Sequence, residues 1–406
     1  MKQSNLFLLI LICSIFASCS SGDKADSDQL NDGLEIIKVD LSEAREGKLS
    51  EFFAPEIEYI WLKDDVEGGL IGNGLQKIFF HEDKVFTLDL NDCKCIKIFD
   101  KSGDYLSIIR AFGEGPEKYL ELGDAAIVNG EVLLSGIHPP KLMWFSLDGN
   151  FLREEKLAKH LGSTVFSEEA KRYYFSSFAR GPGEHFVESV DESFQDTLKF
   201  FSFENGRYYS STPLRYSFKK NENSIYFGRG FNDTILELKE GNFVPKLIFE
   251  FGEYAQSNEE MKSIKDNLSA KERMDFINNK AKLYFSPHSW YINDSQFLSN
   301  FKYEEGSYNV FFDRKNQISH VTEGRLKNDI DQSYDPYSFT YQFSDGKTGS
   351  TIPGKTLFKI LQKKKESLGQ EAFEEYVKGK GKNFAQAAFA AKDSENPVLI
   401  VYTVKN

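Results

Sequence analysis

The sequence predicts an all-β protein, a six-bladed β-propeller closed by its N- and C-terminal strands. Two similar segments, residues 84–109 and 131–156, carry this prediction. Each reads as three apolar strands separated by a polar break and a glycine turn, and the turn glycines, Gly103 and Gly149, lie 46 residues apart. Glycine supplies the positive φ that tight hairpins require. A β-meander of about 45 residues is the size of one propeller blade.

Weaker copies of this pattern bring the predicted number of blades to six. The third, fourth and fifth copies lie within residues 172–209, 224–251 and 296–322. The sixth combines strands near Phe339, at 397–404 and at 56–62. We expect the strands at 56–62 and 397–404 to pair, because closure of the ring removes two exposed sheet edges.

Two segments break the strand pattern and predict helical insertions. Residues 258–283 carry apolar side chains at near-helical spacing. Residues 355–393 read as two or three short helices separated by glycines. We expect both insertions to pack on one rim of the propeller, and the alternative is a small separate helical domain.

Composition excludes several classes of protein. The chain has 406 residues and a net charge of −12, which argues against a nucleic-acid partner, since binding to phosphates needs a basic surface. Aromatic residues make up 15% of the chain, whereas disordered chains are poor in aromatics. Four cysteines are too few for a disulfide scaffold.

The first residues predict export and lipidation. Residues 1–18 read as a signal peptide, because the apolar run at 6–17 is shorter than the roughly 20 residues that span a bilayer. Ala17 and Ser18 precede Cys19, and this arrangement resembles the bacterial lipobox. The resemblance implies that Cys19 becomes the acylated N-terminus and anchors the protein to the membrane. The alternative is an ordinary secretory signal.

Residues 19–49 are predicted to form the lipidated cysteine and a flexible tether, with the propeller domain at 50–406. Residues 20–33 contain no aromatic and no β-branched residue, so they cannot bury much apolar area. Asp23, Asp26 and Asp28 resemble the acidic surface-export signal of Bacteroidetes lipoproteins. We expect a protein anchored by lipid in the cell outer membrane, and both the periplasmic and the surface-exposed face stay open.

Only Cys93 and Cys95 remain after removal of the leader and lipidation of Cys19. They lie two residues apart in a strand-like run, where a disulfide would be strained. We expect two buried free thiols.

A short motif carries a resemblance to a known family. Gly113, Gly115, Pro116 and Tyr119 form the pattern G-x-G-P-x-x-Tyr between two predicted strands. This pattern resembles the NHL-like six-bladed β-propeller lipoproteins of Bacteroidetes, and the similarity extends over residues 50–404. The resemblance implies the fold and the cellular address, and it implies no catalytic residue.

Patterns that suggest catalysis, metals or nucleotides are weak. Residues 349–356, GSTIPGKT, formally satisfy the phosphate-loop pattern. Only 50 residues follow Thr356, too few for the parallel sheet that holds such a loop, so we interpret the segment as a turn that caps a helix. Asp89, Asn91 and Asp92 lack the spacing of an EF-hand. The six histidines form no metal-binding motif, and we expect no cofactor, no metal and no catalytic residue.

Binding is the function that this sequence favours. Propellers bind ligands at the mouth of the central channel, through loops. The predicted ligand-binding residues lie in loop-like stretches and are His138, Arg180, His185, His288 and Trp290. We expect a monomeric envelope lipoprotein whose propeller binds a glycan ligand or a partner protein without catalysis. The alternative is a glycan-active hydrolase or lyase with its site at the channel mouth.

Overall fold

The computed structural model of this chain describes residues 33–405 except for 73, 160–161, 178–182, 203–216, 222–223, 229–231, 256–268, 270, 273–274, 276–282, 338, 340 and 345. Its strands form six sheets, and each sheet contains four antiparallel strands in series. The sheets are the blades of a six-bladed β-propeller, so the predicted fold class is confirmed. Each blade has one strand more than the three of the repeat seen in the sequence.

The first three blades follow one another along the chain. Blade I contains β3 (Leu75–His81), β4 (Lys84–Asp89), β5 (Cys95–Asp100) and β6 (Tyr105–Ile109). Blade II contains β7 (Glu121–Val128), β8 (Glu131–His138), β9 (Lys141–Phe145) and β10 (Phe151–Lys156). Blade III contains β11 (Thr164–Ser167), β12 (Arg172–Ser176), β13 (His185–Asp191) and β14 (Thr197–Ser202).

The other three blades include the two ends of the domain. Blade IV contains β15 (Phe218–Lys220), β16 (Ile225–Phe227), β17 (Thr234–Lys239) and β18 (Asn242–Glu250), to which β1 (Glu35–Lys38) is added. Blade V contains β19 (Leu283–Ile292), β20 (Gln296–Tyr303), β21 (Gly306–Asp313) and β22 (Ile318–Glu323). Blade VI contains β23 (Tyr341–Ser344), β24 (Lys347–Pro353), β25 (Pro397–Val404) and β2 (Phe53–Trp61).

Six hydrophobic cores lie between successive blades and hold the ring together. The strands alternate their side chains between two faces, so a central strand serves two cores. In β25, Leu399 and Val401 face the core shared with blade I. Val398, Ile400 and Tyr402 face the core shared with blade V. A strand buried on both faces needs a nearly continuous apolar sequence, which explains the composition of the C-terminus.

The ring closes as the sequence predicts. Strand β2 pairs with β25 in antiparallel register, with Tyr59 opposite Ile400. The last strand of the chain is therefore held between β24 and a strand that lies more than 300 residues earlier.

A second N-terminal strand corrects the predicted domain boundary. Strand β1 pairs in parallel with β18, and Ile37 is fully buried between blades IV and V. Glu35 accepts two hydrogen bonds from the Arg314 guanidinium, each at 2.8 Å, and its Oε1 lies 3.1 Å from Lys246 Nζ. The packed domain therefore begins at Glu35, and residues 35–49 are not part of a flexible tether.

The predicted helical insertion at 355–393 is confirmed as three helices between β24 and β25. They are α2 (Gly354–Leu368), α3 (Gln370–Lys378) and α4 (Lys382–Ala390), after a single-turn helix α1 (Leu49–Phe52). Their apolar side chains pack on blade VI. No helix in the described part of the chain is long and apolar enough to cross a membrane. The helix predicted at 258–283 lies largely outside the described residues.

The expectation of free thiols is wrong, because Cys93 and Cys95 form a disulfide. Only Cys95 belongs to strand β5, and Cys93 lies in the preceding turn. Lys94 between them has a φ of 49°, so the chain is not extended there. The resulting Cα–Cα distance of 5.2 Å suits a disulfide.

Candidate binding cavity on the propeller axis

The inner strands β3, β7, β11, β15, β19 and β23 surround the axis, one from each blade. The four strands of a blade alternate in direction. After an even number of strands, the chain therefore leaves the blade on the same face of the propeller at which it entered. The face at which the inner strands begin is termed the top face. It also carries the connections between the second and third strands of each blade, including α2, α3 and α4.

A cavity of about 200 Å³ lies on the axis between the inner strands of blades I, II, III, IV and VI. Its apolar wall includes Ile127, Val165 and Phe218. Its polar residues occupy the first three residues of their strands or the position just before, on the side of the top face, and they are Lys77, Ser163, Thr164, Lys219, Lys220, Tyr341 and Gln342.

Lys77, which is half-buried, and Asp124, which is fully buried, form an ion pair beside this cavity. Lys77 Nζ lies 2.9 Å and 3.2 Å from the two carboxylate oxygens of Asp124, and it also donates to the carbonyl of Ala125 at 2.8 Å. The backbone N–H of Thr164 donates to Asp124 Oδ2 at 2.9 Å. Asp124 is fully buried, and its two oxygens are engaged by blades I and III. The pair therefore ties three blades together at the axis.

Lys219 supplies a second ammonium group at the cavity. It is only 6% exposed, and its Nζ lies 5.7 Å from the centre of the Trp290 ring. Burial and the nearby charge of Lys77 lower the pKa of the Lys219 ammonium to about 7. Near neutral pH, Lys219 therefore carries its proton for part of the time.

The remaining polar wall is held by hydrogen bonds across blades. The Gln342 side chain of blade VI accepts from the backbone N–H of Ile292 at 3.3 Å and donates to its carbonyl at 3.1 Å. Lys220 donates to the carbonyl of Phe166 at 3.3 Å, and burial lowers the pKa of its ammonium. These contacts fix the shape of the cavity.

The chain can now be placed among known proteins. The family described as Domain of unknown function (DUF4934) matches residues 34–403. The chain belongs to this DUF4934 family. Among curated proteins, none matches it.

Two solved structures are similar to this DUF4934 chain. The crystal structure of a "putative exported protein" from Bacteroides fragilis superposes with a TM-score of 0.70 at 17% identity, covering 91% of this chain and 100% of that one. A DUF4221 family member from Bacteroides vulgatus has a TM-score of 0.47 at 9% identity, covering 87% and 97% of the two chains. At 17% identity, the first likeness establishes the fold alone.

The three predicted ligand-binding residues that the structure describes lie in three different blades. His138 is exposed at the end of β8, and His185 is half-buried at the start of β13. Trp290 is 1% exposed and packs in the core between blades IV and V, where its ring lies beside Lys219. Arg180 and the side chain of His288 lie outside the described part of the chain. A role for these residues in binding stays a prediction.

Sequence reasoning missed Lys77, Asp124 and Lys219. The available signal was a charged residue near the start of an otherwise apolar inner strand, as in QKIFF and GDAAI. Such residues are usually solvent-facing, and only the meeting of several blades at the axis buries them together.

The family-like motif has a structural role in this fold. It links blade I to blade II, and Gly113 and Gly115 have φ values of 143° and 108°. Tyr119 is fully buried, and its hydroxyl donates to the carbonyl of Lys94 at 2.6 Å. Burial raises the pKa of the Tyr119 hydroxyl to about 12.

The residues of the phosphate-loop pattern form the end of a strand and the start of a helix. Gly349 and the residues up to Pro353 belong to β24, which pairs with β25, and α2 begins at Gly354. Lys355 lies on the surface, with its Nζ 2.7 Å from Glu395 Oε1. Among the described residues, no group of three or more His, Cys, Asp or Glu side chains is placed to hold a metal ion.

Proposed function

We propose that this protein is a monomeric, exported envelope lipoprotein, akin to the NHL-like propeller lipoproteins, that binds a ligand in the axial cavity. The observation that carries the proposal is the presence of two ammonium groups at the axial cavity, of the half-buried Lys77 and the buried Lys219. Buried charge lowers stability unless it is compensated, so such groups are typical of functional sites. The polar residues of the cavity lie toward the top face.

Binding accounts for the cavity better than glycan hydrolysis does. Most glycoside hydrolases place two carboxyl groups on either side of the scissile bond. The described residues that line the cavity include three lysines and no carboxylate. Asp124 is not among the described residues that line the cavity, and its two oxygens accept hydrogen bonds from Lys77 and from the backbone N–H of Thr164.

The proposed address rests on residues 1–18 and Cys19. The Cys93–Cys95 disulfide supports an oxidising compartment. The structurally similar protein from Bacteroides fragilis is itself named as an exported protein. We propose that acyl chains on Cys19 hold the protein in the outer membrane.

A ligand screen tests the binding proposal. The mature chain with Cys19→Ala is screened by thermal shift, because a ligand at about 100 times its Kd stabilises the native state by about 2.7 kcal/mol. We expect ligands that raise the melting temperature of this protein and of a Lys355→Met control, and that act weakly on Lys219→Met. A ligand set that stabilises all three variants equally, or none of them, would argue against the cavity as the binding site.

A labelling experiment tests the lipid anchor. Cys19→Ala is expected to abolish palmitate incorporation and to release the protein from the membrane fraction, because the acyl chains supply the membrane affinity at about 0.8 kcal/mol for each buried CH₂. Cys13→Ala is the matched control and should still be labelled, since Cys13 leaves with the signal peptide. Unchanged membrane association of the Cys19→Ala protein would refute lipid anchoring.

A further inference from the structure

We infer that the axial cavity takes a small organic anion with an apolar body, whose anionic group lies against the ammonium groups of Lys219 and Lys77. This inference rests on the proposed function and names the ligand class of the same cavity. It follows from three properties of the cavity: its charge, its size and its lining.

The charge of the cavity is opposite in sign to that of the whole chain. The chain has a net charge of −12, whereas the described lining residues carry Lys77, Lys219 and Lys220 without a carboxylate. The Asp124 carboxylate compensates Lys77 at 2.9 Å. Lys219 lies close enough to Lys77 for the charge of Lys77 to lower the pKa of the Lys219 ammonium, so the lysines make this wall of the cavity locally positive.

The volume and the apolar wall of the cavity limit the size and the polarity of the rest of the ligand. A protein cavity of about 150 Å³ accommodates benzene. The axial cavity has a volume of about 200 Å³ and an apolar wall that includes Ile127, Val165 and Phe166. A ring-sized body with one anionic substituent therefore fits both parts of the site.

Binding of such an anion should depend on pH through Lys219. Among the described residues, the titratable or charged side chains that line or adjoin the cavity with Lys219 are Lys77 on β3, Asp124 on β7, Lys220 on β15 and Tyr341 on β23. Burial raises the pKa of the Tyr341 hydroxyl above its ordinary range, so Tyr341 stays neutral at physiological pH. Because the pKa of Lys219 lies at about 7, its charged fraction falls by about tenfold between pH 6 and pH 8.

Calorimetric titration with benzoate and with benzamide tests the inference. These probes have the same shape and differ in charge. The protein is the mature chain with Cys19→Ala, compared with Lys219→Met and with Lys355→Met in the same background. We expect benzoate to bind at pH 6, to bind about tenfold more weakly at pH 8, and to lose both the affinity and the pH dependence in Lys219→Met. The Lys355→Met protein should behave as the parent does.

The outcomes separate the two proposals. Equal binding of benzamide and benzoate would overturn the anion inference and leave the cavity as a ligand site. Absence of benzoate binding would also overturn the anion inference. The proposed function would then be tested by the thermal-shift screen alone. Benzoate binding that persists in Lys219→Met would show that the anion lies elsewhere on the protein.

Discussion

Deletion of residues 397–406 is expected to abolish folding. The deletion removes β25, which is the third strand of blade VI and serves the cores shared with blades V and I. Its buried apolar side chains are Val398, Leu399, Ile400, Val401, Tyr402 and Val404. At about 1.5 to 3 kcal/mol for each side chain, their burial contributes as much as the roughly 5 to 15 kcal/mol of a typical domain. The deletion also leaves β2 without β25, the strand with which it pairs.

Expression and size-exclusion chromatography measure this result. The truncated protein should be aggregated or degraded, and its circular dichroism should lack a cooperative thermal transition. Deletion of residues 20–31 is the control of similar length, and it should leave folding unchanged because it precedes the packed domain that begins at Glu35. A folded, monomeric protein without residues 397–406 would mean that the ring closes by another route.

Lys219→Met is expected to stabilise the protein at neutral pH. The ammonium of Lys219 has an ordinary pKa of 10.5, and burial beside Lys77 lowers that pKa to about 7 in the folded protein. Between these two values the unfolded chain binds more protons than the folded protein, so the stability of the parent rises with pH across this window. A difference of about three pKa units corresponds to about 4 kcal/mol that Lys219 costs the folded state at pH 7. Methionine has a similar shape and carries no charge.

Denaturant unfolding at pH 7 and at pH 9.5 tests this expectation. The Lys219→Met protein should have a higher free energy of unfolding than the parent at pH 7. This difference in free energy should be smaller at pH 9.5. Lys355→Met is the control, because Lys355 lies on the surface beside Glu395. Lower stability of Lys219→Met at both pH values would mean that the ammonium group of Lys219 stabilises the fold.

The closed propeller was predictable because its signals are local and repeated. Turn glycines such as Gly103 and Gly149, and the almost purely apolar strand at Pro397–Val404, reflect requirements of single hairpins and of one central strand. The helices between β24 and β25 were predictable for the same reason, since their periodicity is local and Gly369, with a φ of 76°, separates two of them.

Strand β1 and the Cys93–Cys95 disulfide were not predicted from the sequence, for two different reasons. Strand β1 is only four residues long, and its stability comes from pairing with β18 and from the contact of Glu35 with Arg314, 279 residues away. The Cys93–Cys95 disulfide depends on the positive φ of Lys94, which the pattern of residue types does not reveal.

The axial cavity is formed by residues that are far apart in the sequence. Lys77, Asp124 and Lys219 come from three blades, and each reads alone as an ordinary charged residue in a strand. Their meeting follows from the closure of the ring, which a single repeat does not show.

The most direct test of the account is an NMR titration of lysine side chains in the mature Cys19→Ala protein, with lysine labelled at Cε and Nζ. The signal missing from Lys219→Met identifies Lys219. We expect this side chain to titrate near pH 7, and we expect benzoate to raise that pKa because a bound anion favours the charged ammonium. A Lys219 signal that titrates near its ordinary value of 10.5 and does not respond to benzoate would contradict a charged binding cavity on the propeller axis.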